Sequence, residues 1–123
     1  MKLDYQHKHA LFDAIAITTL ALAPLLERSS RVFLAVSWSA GIALAGVSAL
    51  TDYPLGAAKV LPPAAHHSME ASLGFGMVFS ALLFGAVGMR SAELILAIVG
   101  IVLIASGVHA LWVERRQIPE PAH

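Results

Sequence analysis

Five side chains in this 123-residue chain have the types and spacing to do chemistry together. His9 stands four positions before Asp13, and His66 stands four positions before Glu70. At 3.6 residues per turn, each pair shares one face of a helix. His109 belongs with them, because it lies about 7 Å inside the end of the last apolar stretch, near the same end of any up-and-down bundle. Neutral imidazoles and carboxylates on facing helices suit Zn²⁺ or Fe²⁺, or the handling of protons. The spacing is neither the Glu-x-x-His of di-iron carboxylate bundles nor His-Glu-x-x-His. A second reading needs no ligand: carboxylates near a helix start favour its positive end, and nearby histidines hydrogen-bond them. The two readings differ in what they ask of the fold. A metal needs three or more of the groups around one point, whereas capping needs only contacts within each helix.

The rest of the composition excludes most other chemistry. There is no cysteine, hence no disulfide, thiolate ligand or Cys nucleophile. Eight basic residues balance eight acidic ones, so there is no surplus for binding nucleic acid. No Gly-rich phosphate loop and no Ser-His-Asp order occurs, no catalytic residue is assigned, and the reading leans against an enzyme. One that used the same His and acid cluster is the remaining form of that class.

The elements that must position these groups follow from the charge. Charged residues make up 13% of the chain and hydrophobic ones 58%, too little charge to coat a soluble globule. A bilayer core takes about 20 helical residues to cross. Val32 to Thr51, Ala71 to Met89 and Leu94 to Val113 are uncharged stretches of that size, and about His9 to Leu26 is a fourth, interrupted by Asp13. Asp13 and Pro24 both argue against a cleaved signal peptide ending at Ala21-Leu22-Ala23. Asp13 lies about 21 Å of helix before Glu27, several ångströms inside the bilayer, so it must face the bundle and a partner. The expected fold is an all-α, four-transmembrane-helix bundle forming one integral membrane domain over residues 1–123. The connection from about Asp52 to Ala65 contains Pro54, Gly56 and the pair Pro62-Pro63, which excludes helix there. It is expected along the interface with Tyr53 at headgroup level, and the stretch from Glu114 to His123, which includes the tail 116–123, is expected to be partly disordered. Lys2, Lys8, Lys59, Arg115 and Arg116 fall on one side against Arg28, Arg31 and Arg90 on the other. That bias puts both termini in the cytoplasm, and a bacterial inner membrane is the expected location.

The chain also repeats itself. His66 and Glu70 follow His9 and Asp13 at one offset, and Ser106-Gly107-Val108-His109-Ala110-Leu111 matches Ala45-Gly46-Val47-Ser48-Ala49-Leu50. Two tandem helical hairpins result, about 8–51 and about 66–115, related by a parallel pseudo-two-fold axis. With an acid opening the first helix of each copy, and Ala23-Pro24-Leu25 and Ser80-Ala81-Leu82 about ten residues on, the chain resembles the SPW-repeat family of small bacterial membrane proteins. Thr51-Asp52-Tyr53-Pro54-Leu55-Gly56, then Leu61-Pro62 and His66, is similar to the connection between such repeats. The Ser and the Pro of the triplet each survive once and the Trp is missing. The resemblance implies a two-helix repeat and brings no established activity.

Small residues form stripes at Ser37, Gly41, Ala45 and Ala49, and at Ser72, Gly76 and Ser80, which let membrane helices approach closely. Trp38 falls near mid-span, to fill the core or meet a partner, and Trp112 at a span end reads as an interfacial anchor. Pro24 frees the Leu20 carbonyl. The expected function is a small structural or accessory membrane protein packing against a membrane complex or a second copy of itself. The alternative is a proton, metal or small-ligand carrier or sensor using the cluster at the N-terminal side of the bundle. No cofactor is predicted beyond the divalent metal of that alternative.

Overall fold

The computed structural model describes residues 2–26, 30–52 and 56–117. Glu27, Arg28, Tyr53, Pro54 and the tail from residue 118, which carried turn, headgroup and disorder expectations, lie outside them. Four helices follow one another: α1 Lys2–Leu26, α2 Arg31–Leu50, α3 Pro63–Ala86 and α4 Arg90–Gln117. All four are long and apolar enough to cross a membrane. Their outer faces are apolar, with Phe12, Ile42, Phe79 and Ile98 among the large side chains left exposed. This is the surface that lipid satisfies and water does not.

Three boundaries differ from expectation. α1 and α4 extend beyond their apolar stretches, because Lys2 to Lys8 and Glu114 to Gln117 contain no helix breaker. α3 starts at Pro63, so the Pro62-Pro63 pair opens a helix and does not exclude one. Proline is well placed at the first helical position, where its missing N–H has no partner to lose. The α2 start is capped by Ser30, whose Oγ accepts from the Phe33 N–H at 3.2 Å.

The connection after α2 folds back on that helix. The N–H groups of Ala57 and Ala58 donate to the Ala49 carbonyl, and those of Val60 and Leu61 to the Leu50 carbonyl. The last carbonyls of α2 are thus satisfied by its own connection.

Within each hairpin the helices meet through small residues. Pro24 leaves the Leu20 carbonyl without its helical donor. The Ser37 hydroxyl donates to that carbonyl at 2.6 Å, and the Trp38 indole donates to the Ala21 carbonyl at 3.1 Å. Gly41 lets α2 approach, since a Cβ there would stand 3.3 Å from the Leu20 Cβ. Trp38 is therefore a strap between α1 and α2, with its ring half exposed.

The second hairpin is tighter. A Cβ on Gly74 would lie 2.6 Å from the Gly100 carbonyl oxygen, and one on Gly100 would lie 2.8 Å from that of Gly74. A Cβ on Gly107 would lie 2.7 Å from the His67 carbonyl oxygen. Ser72 and Gly76 are exposed and Ser80 is half-buried, so that stripe looks away from α4. The contact face of α3 runs instead through Ala71, Gly74 and Met77, turned by two residues from the expected one. In α2, Ser37 and Gly41 are buried as packing requires, while Ala45 is only half-buried.

The two hairpins share an apolar core of Leu20, Phe33, Leu44, Met77, Phe84, Leu96 and Leu103 with smaller residues between them. Phe33 and Phe84 meet edge to face at 5.9 Å. The polar groups collect at the other end, where α1 and α3 begin and α2 and α4 finish.

Candidate metal centre

Asp13 and Glu70 occupy matching depths, each seven residues after the start of its apolar span. That is about 10 Å of helix. Both are essentially fully buried, and so are His9, His66 and His67.

The pairing crosses between the two copies. His9 Nε2 of the first copy lies 2.9 Å from Glu70 Oε2 of the second. His66 Nε2 of the second lies 2.9 Å from Asp13 Oδ2 of the first. Within each helix the same groups are farther apart: His9 to Asp13 is 3.7 Å and His66 to Glu70 is 3.8 Å. A two-fold relation between tandem hairpins gives this reciprocal pattern, since each histidine then faces the acid of the opposite copy. Capping within single helices does not.

A third histidine joins. His67 Nδ1 is 3.6 Å from Glu70 Oε2. One carboxylate oxygen of Glu70 therefore stands among nitrogens of three imidazoles. One donor atom from each of His9, His66, His67 and Glu70 lies within 4.8 Å of the others. Atoms bound tetrahedrally to one Zn²⁺ at about 2.0–2.2 Å lie about 3.4 Å apart, so side-chain adjustments of about 1 Å would bring this set onto an ion. The three rings pack edge to face, with centroids 4.5–5.6 Å apart.

The outward nitrogens also have partners, at the end of α2 for His66 and on α4 for His9 and His67. His66 Nδ1 is 2.9 Å from the Thr51 hydroxyl at the end of α2. That hydroxyl has one proton and gives it to the Val47 carbonyl at 2.5 Å, so it accepts from His66. Neutral His66 with its proton on Nδ1 then turns the Nε2 lone pair toward the centre, where the Asp13 carboxylate 2.9 Å away calls for a cation or a proton between the two. His9 Nδ1 is 3.2 Å from the Ser106 hydroxyl of α4. His67 Nε2 is 3.4 Å from Glu114 Oε1, also of α4. Ser48 of α2 donates to Asp13 Oδ2 at 3.3 Å. The helix order is itself reciprocal: α4 holds the histidine of α1, and α2 holds that of α3.

Glu70 Oε1 and His67 Nδ1 are buried and make no hydrogen bond to the protein. With Asp13 and Glu70 ionised, the centre would hold two negative charges away from water. Such charges persist only when paired, and a divalent cation or two protons would balance them.

Of the five residues singled out by type and spacing, His9, Asp13, His66 and Glu70 converge and His109 does not. The buried seam of α4 runs through Leu103, Gly107 and Ala110, and His109 lies one position off it, exposed. Its ring stacks on Trp112, 6.1 Å away, and the Arg116 guanidinium stands 4.0 Å over that indole. His67 takes the place expected for His109. The signal for it was the His66-His67 doublet, which sets His67 three residues before Glu70. Thr51, Ser106 and Glu114 had no such signal, because each acts through a helix remote in sequence.

No protein-family model, no curated protein and no solved structure matches the chain, so the function has to be read from this geometry alone.

Proposed function

We propose that this is an integral membrane protein that binds one divalent transition-metal ion, of the Zn²⁺ or Fe²⁺ class, and works as a metal carrier or sensor. The observation that carries the reading is the two-sided tethering of three histidines. Each turns one nitrogen toward a common carboxylate, while Thr51 or Ser106 hydrogen-bonds the other in His66 and His9 and the Glu114 carboxylate stands 3.4 Å from it in His67. Metal-ligating histidines are oriented in this manner, because a hydrogen bond on the far nitrogen fixes both ring direction and tautomer. His9, His66, His67 and Glu70 would be the ligands, and Asp13 would balance charge beside them. A soft-metal thiolate site is excluded by the absence of cysteine.

The test is metal analysis of the purified protein in mild detergent. About one Zn²⁺ or Co²⁺ per chain is expected after loading, with the visible absorption of tetrahedral or five-coordinate Co²⁺. The pair His66→Ala with Glu70→Gln should lose the ion and keep its helical circular dichroism. A wild-type protein that takes up none of these ions would overturn the reading.

The charge bias that puts both termini in the cytoplasm also puts the centre near the cytoplasmic surface, since α1 and α3 begin there. Resemblance to the SPW-repeat proteins is proposed on the spacing of acid and triplet alone. An accessory role keeps one supporting observation: Gly76 and Ser80 line, with Ser39 and Ala40, a groove of about 440 Å³ between α2 and α3, and Ser72 is exposed one turn before them. A helix from a second copy would pack closely there.

A further inference from the structure

We infer that Glu114 and His67 form an outer cation site through which the metal ion reaches the buried centre. The inference rests on the reading of that centre as a metal site and adds the route.

His67 is the only one of the three histidines whose two nitrogens both face carboxylates among the described residues. Nδ1 is 3.6 Å from Glu70 Oε2 and Nε2 is 3.4 Å from Glu114 Oε1. The Glu70 side chain is fully buried, while that of Glu114 is 26% exposed. The far nitrogens of His9 and His66 are held by neutral hydroxyls, which offer a cation much less. One imidazole thus stands between a carboxylate that solvent reaches and one that it does not.

Glu114 lies in a cleft of about 560 Å³ between the start of α3 and the end of α4, with Ser68, Leu111, Trp112 and Arg115 around it. Arg115 brings a positive charge to that cleft. The local field therefore does not gather cations by itself, and capture depends on the Glu114 carboxylate. A bare divalent ion cannot cross apolar packing. It can exchange ligands stepwise, from water to Glu114, to His67 Nε2 as any proton on that nitrogen leaves to solvent through the cleft, and then, as the ring turns inward, to Glu70 with the other imidazoles. Another opening toward Glu70 is a groove of about 460 Å³ on the flank between α2 and α3. Ala43, Leu44, Val47, Met69 and Leu73 line it with the hydroxyls of Ser68 and Ser72, and it places no carboxylate ahead of Glu70 to take an ion from water.

The role predicted for Glu114 differs from simple orientation of His67. A residue on the path lowers the barrier in both directions and leaves the end point alone. An orienting residue changes the end point. The experiment follows Co²⁺ uptake by the full-length protein in detergent through its visible absorption, and release to a chelator. Glu114→Gln keeps an amide oxygen beside His67 Nε2 and removes only the charge, so it should slow uptake and release by the same factor, about tenfold or more, with affinity changed less than about threefold. Glu114→Asp, which keeps a carboxylate but draws it back, should fall between the two. Ser106→Ala should weaken affinity without slowing uptake. Unchanged uptake in a folded Glu114→Gln protein, or lost affinity at an unchanged uptake rate, overturns the route and leaves the metal centre standing. Failure of the wild type to bind Co²⁺ overturns both.

Discussion

The Thr51 hydroxyl decides how His66 carries its proton. Its own hydrogen goes to the Val47 carbonyl, so toward His66 Nδ1 it can only accept. Thr51→Val keeps the shape of the side chain and removes the acceptor. A buried N–H is then left without a partner, at a cost of about 1–3 kcal/mol. His66 also becomes free to place its proton on Nε2, the nitrogen needed at the centre. Thr51→Val is expected to lower the thermal unfolding temperature and to weaken Co²⁺ affinity about 10- to 100-fold, with Thr51→Ser recovering most of both. Calorimetry and Co²⁺ titration in the same detergent read the two effects. Equal affinity in Thr51→Val would show that the far nitrogen of His66 has no part in binding.

At the scale of the helices, two glycines two residues apart in α3 have opposite surroundings. Gly74 meets the α4 backbone so closely that a Cβ would sit 2.6 Å from the Gly100 carbonyl oxygen. Gly76 has nothing within 4 Å. Gly74→Ala must push α3 from α4, and an overpacked contact of this kind costs about 1–3 kcal/mol. Because the His67 carbonyl touches Gly107 two turns away, the same displacement should loosen the metal centre. Gly76→Ala is expected to leave stability unchanged or raise it by up to about 1 kcal/mol. If a second copy docks on the Ser72-Gly76-Ser80 stripe, Gly76→Leu should abolish self-association seen by crosslinking while the monomer stays folded. Thermal unfolding of Gly74→Ala at the wild-type temperature would refute the close packing of α3 on α4.

Across the whole molecule, the crossed pairs put the centre between the two hairpins, with one histidine and one acid from each. Neither hairpin has the donor set alone. The ligand His9 and the neighbouring Asp13 come from α1, the ligands His66, His67 and Glu70 from α3, and the outer partners from the end of α2 and from α4. The even number of spans also brings the α1 start, the connection before α3 and the α4 end to one face. The chain has no cysteine, so single cysteines report topology directly. Lys59→Cys and Arg116→Cys should react with a membrane-impermeant maleimide from the cytoplasmic side, and Arg90→Cys from the opposite side. Labelling of Lys59→Cys and Arg90→Cys from the same side would contradict the four-span topology.

The amino-acid sequence by itself determined the number of helices, their membrane character and the end at which chemistry collects. The reason is energetic: charges are expensive in a bilayer, so they mark the span ends, and a carboxylate inside a span must turn toward a partner. Helical spacing likewise put His9 with Asp13 and His66 with Glu70 on common faces. Which face of each helix turns toward which neighbour was decided only in three dimensions. A two-residue change of register rotates a helix face by about 200°, and apolar sequences tolerate either setting. That rotation chose Gly74 over Gly76 for the α4 contact, and the buried seam of α4 passed beside His109. It brought in His67 and exchanged acids between the copies, so that His9 meets Glu70 and His66 meets Asp13. Thr51, Ser106 and Glu114 became part of the centre by the same means, because a hydrogen bond between helices depends on their rotation and approach and on no local pattern in the chain.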